Sequence, residues 1–224
     1  MLIKIKRQKT SDSEPYWQSF TYDGPTHVTV STVLDALNYT DDLFDTDGNP
    51  VSKIRWECSC MQKMCGGCAM VINGVPALAC CTFIDEIKGK EVVLEPLSKF
   101  PVVADLIVDR SVIYDNLNNS GAYLEEIASN SKKHHKQQYS VAKCLKCGLC
   151  LEVCPNYHPG AAFFGAVFAN ESYLISSQSE NSSGNIVKEY KEHFGAGCSK
   201  ALSCQVVCPA GIETLTSIMR MNRK

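Results

Sequence analysis

Thirteen of the 224 residues are cysteines, and their spacing is what can do chemistry. Six lie between Cys58 and Cys81 and seven between Cys144 and Cys208, with none in the gap. In the first group, Cys60, Cys65 and Cys68 are separated by four and then two residues, and eleven more residues separate Cys68 from Cys80. Thiolates are soft ligands, and this spacing is the one that holds a [2Fe–2S] cluster. Four thiolates must converge on two irons from one tight loop. Gly66 and Gly67 remove side chains where backbone amides approach the sulfides. Asn73-Gly74 is a hairpin signal that folds Cys80 back onto the loop. Zinc is the competing metal. Its ligands come as two pairs with two to four residues inside each, which this pattern fits poorly.

The second group opens with Cys144-x2-Cys147-x2-Cys150-x3-Cys154-Pro155. In runs of this spacing the fourth cysteine serves a second cluster. Cys144, Cys147 and Cys150 therefore need a ligand from elsewhere, and Cys154 needs companions. Both come from Cys198-x5-Cys204-x3-Cys208-Pro209, where Ala201 stands at the position of the second cysteine of the first run. By crossover, Cys208 completes a [4Fe–4S] cubane with Cys144, Cys147 and Cys150. Cys154, Cys198 and Cys204 remain, and three thiolates fit a [3Fe–4S] cluster. A cubane whose fourth iron is held by water or another residue is the alternative. Eleven cysteines are thus assigned. Cys58 and Cys81 are left as packing thiols, with a swap of Cys58 for Cys60 as the competing ligand set.

A disulfide framework explains these cysteines less well. The count is odd, the chain is long for a stapled module, and the charged N-terminal segment Met1-Leu2-Ile3-Lys4-Ile5-Lys6-Arg7 does not read as an export signal. A reducing, cytoplasmic compartment is the expectation. A formal net charge of −2 gives no basic field for nucleic acid. The longest apolar run, residues 160–169, is half of what a membrane-spanning helix needs (roughly 20 residues).

The elements that must position these thiols divide the chain in two. Residues 1–103 read as a small mixed sheet with one helix. Strands are expected at 1–6 (an edge strand), 18–22, 69–72, 77–81 and 91–97, and a helix at 32–38 capped by Ser31 or Thr32. Residues 104–224 read as helical, with helices expected at 102–117, 121–129, 161–169 and 214–221, and an exposed loop at 176–185. Pro96 and Pro101 punctuate the junction. Phe163, Phe164 and Phe168 fall on one helical face and read as core. The basic run Lys132-Lys133-His134-His135-Lys136 reads as a solvated loop or docking patch. The basic end Arg220-Met221-Asn222-Arg223-Lys224 is a candidate contact for acidic lipid or an anchoring partner.

The residues together resemble the iron–sulfur subunits of succinate dehydrogenase and fumarate reductase. The likeness runs through Ser59–Gly74, Leu94-Glu95-Pro96-Leu97, Pro101–Asp109, Lys143–Pro155 and Cys198–Pro209, nearly the whole chain. It implies an α+β chain: an N-terminal β-grasp [2Fe–2S] ferredoxin domain followed by a C-terminal α-helical ferredoxin domain. It implies a wire running from an FAD-containing flavoprotein through [2Fe–2S], [4Fe–4S] and [3Fe–4S] centres to a quinone. That quinone is held at membrane anchor subunits, which can carry haem b. Dicarboxylate chemistry then lies on the flavoprotein, and the chain sits at the inner face of the cell membrane through its partners.

Pro155, His158 and Ser199 are the candidates for the quinone's vicinity. In ubiquinone-using relatives tryptophans follow the fourth cysteine of the run, and a histidine follows the first cysteine of the third motif. Here Asn156-Tyr157-His158 and Ser199 stand there, and the only tryptophans are Trp17 and Trp56. That departure points to menaquinone. A different acceptor, a flavoprotein with another substrate, and a free ferredoxin-like carrier are the other readings.

Overall fold

Alternation of inward Ile3, Ile5 and Arg7 with outward Leu2, Lys4 and Lys6 makes Leu2–Arg7 a strand, β1. It pairs antiparallel with β2 (Tyr16–Thr21), so the reading of an edge strand is corrected: its other side pairs parallel with a strand at Glu91–Glu95. Helix α1 (Val30–Tyr39) buries Val33, Leu34 and Leu37. Its cap is Thr29, whose Oγ1 accepts from Thr32 N at 3.3 Å, rather than Ser31 or Thr32. Short strands β3 (Leu43–Phe44) and β4 (Pro50–Val51) pair with each other.

Next, β5 (Ala69–Ile72) and β6 (Val75–Leu78) flank a two-residue turn, with Asn73 at φ 46° and Gly74 at φ 77°. The strand expected at 77–81 begins earlier, and Ala79–Cys81 coils into one 3-10 turn. With β7 (Glu91–Glu95) the sheet order is β2-β1-β7-β5-β6. A parallel central pair, antiparallel flanks and one covering helix make the β-grasp arrangement.

The structure describes residues 1–129, 134–179 and 183–224, and the chain divides into two units, Met1–Asp109 and Arg110–Lys224. The helix expected at 102–117 is half wrong. β8 (Val102–Ala104) and β9 (Ile107–Val108) form a ribbon, and the helix, α2, spans only Ser111–Asn119. Val and Ile there favour extended chain, and Asp105 at φ 48° makes the bend. Residues 104–109, read as the start of the second domain, therefore fold with the first unit.

In the second unit, the helix expected at 121–129 is irregular chain. Then follow α3 (His135–Ala142), α4 (Leu149–Glu152), α5 (Gly165–Gln178), α6 (Ser183–His193), α7 (Ser203–Val206) and α8 (Thr214–Met221). The helix expected at 161–169 starts four residues late, because Gly165 at φ 75° turns the chain into it. Of the loop expected at 176–185, residues 176–178 end α5 and 183–185 begin α6. Residues 180–182 lie outside the described residues, as do Lys132 and Lys133 of the basic run. Buried on nearly every face, α5 packs against α3, α4, α6 and α8 around Phe168, Tyr173, Ile186, Tyr190, Phe194 and Ile218. Phe168 is core as expected. Phe163 and Phe164 precede the helix and pack against that core half-buried.

Candidate metal centres

The loop before β5 is shaped by left-handed residues: Met61 (φ 53°), Lys63 (φ 63°) and Gly66 (φ 77°). They turn backbone amides inward. Gln62 N and Met64 N donate to Cys60 Sγ at 3.4 and 3.2 Å, Lys63 N to Cys80 Sγ at 3.2 Å, and Gly67 N to Cys65 Sγ at 3.4 Å. Gly66 adopts its φ of 77° without the steric cost that Met61 and Lys63 bear. Gly67 is less constrained, since a Cβ there would meet Cys65 Sγ at an ordinary 3.7 Å. The N–H groups of Gln62 and Met64 hold the Cys60 thiol down at about 7, whereas burial pushes Cys68 up to about 12. Cys68 and Cys80 are buried, and the side chains of Cys60 with Cys65 and of Cys68 with Cys80 adjoin. Cys58 and Cys81 are both exposed, and Cys81 Sγ points to Leu78 O at 3.5 Å.

In the second unit the two cysteine runs repeat one another in space as in sequence. Lys146 (φ 52°) and Gly148 (φ 86°) precede the one-turn helix α4; Lys200 (φ 60°) and Leu202 (φ 58°) precede the one-turn helix α7. The same left-handed steps deliver Cys150 and Cys204 from equivalent places. The two one-turn helices pack together. Cys144, Cys147, Cys150 and Cys208 line one cavity, joined by Cys204, with Val167, Asn170 and Ile212 among its walls. Burial pushes the thiols of Cys147 and Cys204 up to about 11 and also raises that of Cys150 well above its ordinary value. Cys204 lies within electrostatic reach of Cys154 and Cys198. Ala201, the counterpart of Cys147, is exposed.

Among the described residues, no three Cys, His, Asp or Glu side chains stand as ligands around one metal ion. In the second unit five thiols line a cavity with apolar walls, and in the first the loop amides donate to sulfur, donor sets that fit iron–sulfur clusters. Pro155, His158 and Ser199 are all exposed. Sequence reasoning missed an ion pair beside the cavity, Lys146 Nζ to Glu171 Oε1 at 2.5 Å. Its signal was there: Glu171 is the one charged residue in α5, and a charge inside an apolar helix requires a partner.

Comparison with known proteins also finds two modules. A 2Fe–2S iron–sulfur cluster binding domain matches residues 2–115, and a 4Fe–4S dicluster domain matches residues 140–212. The succinate dehydrogenase iron–sulfur subunit of Bacillus subtilis is 31% identical, over 98% of this chain and 90% of its own length. The fumarate reductase iron–sulfur subunit of Haemophilus influenzae is 27% identical, over 92% of this chain and 85% of its own. A chain of the Mycobacterium smegmatis Sdh1 complex in the apo form superposes with a TM-score of 0.75 at 20% identity, covering 100% of this chain and 96% of that one. No helix among the described residues is long and apolar enough to cross a membrane. The chain belongs to the family of iron–sulfur, electron-transfer subunits of succinate dehydrogenases and fumarate reductases.

Proposed function

We propose that the chain relays single electrons between an FAD-containing catalytic subunit and a quinone, menaquinone by preference, at membrane anchor subunits. Cys60, Cys65, Cys68 and Cys80 hold a [2Fe–2S] cluster. Cys144, Cys147, Cys150 and Cys208 hold a [4Fe–4S] cluster. Cys154, Cys198 and Cys204 hold a [3Fe–4S] cluster. The observation that carries this reading is the pair of runs with the same spacing and the same left-handed steps that differ by one ligand, Ala201 for Cys147, around a cavity lined by both. When bound, such clusters supply one-electron redox chemistry. The chain's own part is to present thiols, donate amide N–H groups to sulfur, and wall the cavity with Val167 and Ile212 against water. Partner subunits keep the chain at the inner face of the cell membrane.

Pro155, His158 and Ser199, all exposed beside Cys154 and Cys198, are the residues offered to a quinone or to the surface that holds it. The absence of tryptophan from the second unit favours menaquinone over ubiquinone. Isolation of the native assembly from membranes tests the reading. The expected result is co-isolation with a flavin-bearing larger chain and anchor subunits, and electron exchange with a menaquinone analogue. A stable monomer that shuttles electrons between soluble proteins without a flavoprotein would overturn it.

A further inference from the structure

Lys146 sits between two thiols of the [4Fe–4S] set, and Glu171 reaches it from α5, 25 residues on. Nζ and Oε1 are 2.5 Å apart, and the side chains are only 20% and 11% exposed. Desolvation largely offsets the attraction within such a pair, so stability alone does not explain why these charges are placed beside Cys144. The left-handed backbone of Lys146 turns its amide toward Cys144 Sγ while its ammonium meets Glu171. Lys146 belongs to the ligand loop itself, between Cys144 and Cys147, whereas Glu171 reaches it from α5, where its neighbour Asn170 lines the cavity, so the cation is the end of the pair carried by the thiol run. Lys200, the counterpart of Lys146 in the other run, has the same backbone and donates its amide to Cys198 Sγ at 3.4 Å, but its side chain is exposed, where water and salt screen it.

We propose that the Lys146–Glu171 pair is a potential-setting device: it raises the reduction potential of the [4Fe–4S] centre and so sets that centre apart from its neighbour. Reduction places one more negative charge among these thiolates. A fixed cation beside them favours that charge and an unpaired anion opposes it. The inference rests on the ligand reading above.

The test is an EPR-monitored redox titration of the assembled complex with Glu171→Gln, Lys146→Asn, both together, and Lys146→Arg. Asparagine is chosen because it tolerates the left-handed backbone. The expected order of [4Fe–4S] potentials is Glu171→Gln highest, then the unsubstituted protein and Lys146→Arg together, then the double variant, and Lys146→Asn lowest. One uncompensated charge within about a nanometre, at an effective dielectric near 20, shifts a one-electron equilibrium on the order of tenfold, about 59 mV. The [2Fe–2S] potential stays fixed and serves as the internal reference. Single variants that move the potential in the same direction, or not at all, overturn the proposal. So does loss of the [4Fe–4S] signal from Lys146→Asn with the [2Fe–2S] signal kept, which assigns the pair a structural role. Failure of the ligand reading has its own signature, a Cys208→Ser complex whose [4Fe–4S] signal is untouched.

Discussion

Replacing Asp105 with alanine removes the tie between the β8–β9 ribbon, the end of β1 and the entrance to the [2Fe–2S] loop. Asp105 and Arg7 are each 1% exposed, with Oδ1 3.0 Å from Arg7 Nε. The same carboxylate accepts Gln8 N at 3.0 Å and Arg55 N at 2.9 Å, and Arg55 lies three residues before Cys58. Arg7 spends its other nitrogens on Gln18 Oε1 at 2.9 Å and on the carbonyls of Ser52 and Lys53, both at 3.1 Å. Removing one partner of a buried pair costs about 3–5 kcal/mol, because the other charge is left buried without its counterion. Solvent screening does not reduce that figure at this depth. Alanine at φ 48° adds about 1 kcal/mol.

A loss of about 4–6 kcal/mol is therefore expected, a large share of the ~5–15 kcal/mol that holds a domain together. Asp105→Asn keeps an acceptor and tolerates the backbone, so about 3 kcal/mol is expected from the unpaired cation. The assay is urea unfolding under anaerobic conditions, followed by the visible circular dichroism of the [2Fe–2S] centre. Adding Arg7→Met to Asp105→Ala removes the stranded cation and is expected to recover part of the loss. A loss below about 1 kcal/mol for Asp105→Ala, or no recovery in the double variant, would refute the electrostatic reasoning.

Other outcomes follow from the same contacts. Ala201→Cys restores the thiol that Cys147 supplies in the sister run and is expected to raise the iron content from about nine to about ten per chain and abolish the oxidised-state EPR signal of the three-iron centre. An unchanged signal would break the ligand assignment there. Gly165→Ala places a Cβ 2.4 Å from Leu151 Cδ2 on a backbone at φ 75°. A loss of about 2–3 kcal/mol is expected in thermal unfolding. Cys58→Ser and Cys81→Ser are expected to leave the iron content unchanged, whereas Cys60→Ser lowers it. Two irons lost from Cys58→Ser would move the ligand from Cys60 to Cys58.

Much of this molecule was legible in its sequence because its strongest signals are local. Asn73-Gly74 announced a hairpin that formed as a two-residue left-handed turn, and the apolar spacing of Thr214–Met221 announced a helix with those bounds. The cysteine spacings carried the family likeness. What failed were places where tertiary context overrides a pattern. Apolar positions at 103, 106 and 107 mimic a helical stripe, yet Asp105 bends the chain there because its carboxylate is needed by Arg7, Gln8 and Arg55. That demand spans 97 residues and no local window contains it. Residues 121–129 contain helix-forming residues, but half-buried Ala122 and Leu124, packed against the core, alternate with exposed Tyr123, Glu125 and Ile127, a period of two that a helix cannot satisfy, and the segment stays irregular. Glu171 signalled that it needed a partner, but that the partner is Lys146 was hidden for the same reason, since the two meet only when α5 packs against α4.

Iron and acid-labile sulfide per chain, measured on anaerobically purified native protein with an EPR spectrum of the oxidised sample, test the central claim most directly. The three-cluster account predicts about nine irons, about ten sulfides and a paramagnetic oxidised-state signal from the centre at Cys154, Cys198 and Cys204. About ten irons with an EPR-silent oxidised sample, or zinc without visible absorbance, would contradict it.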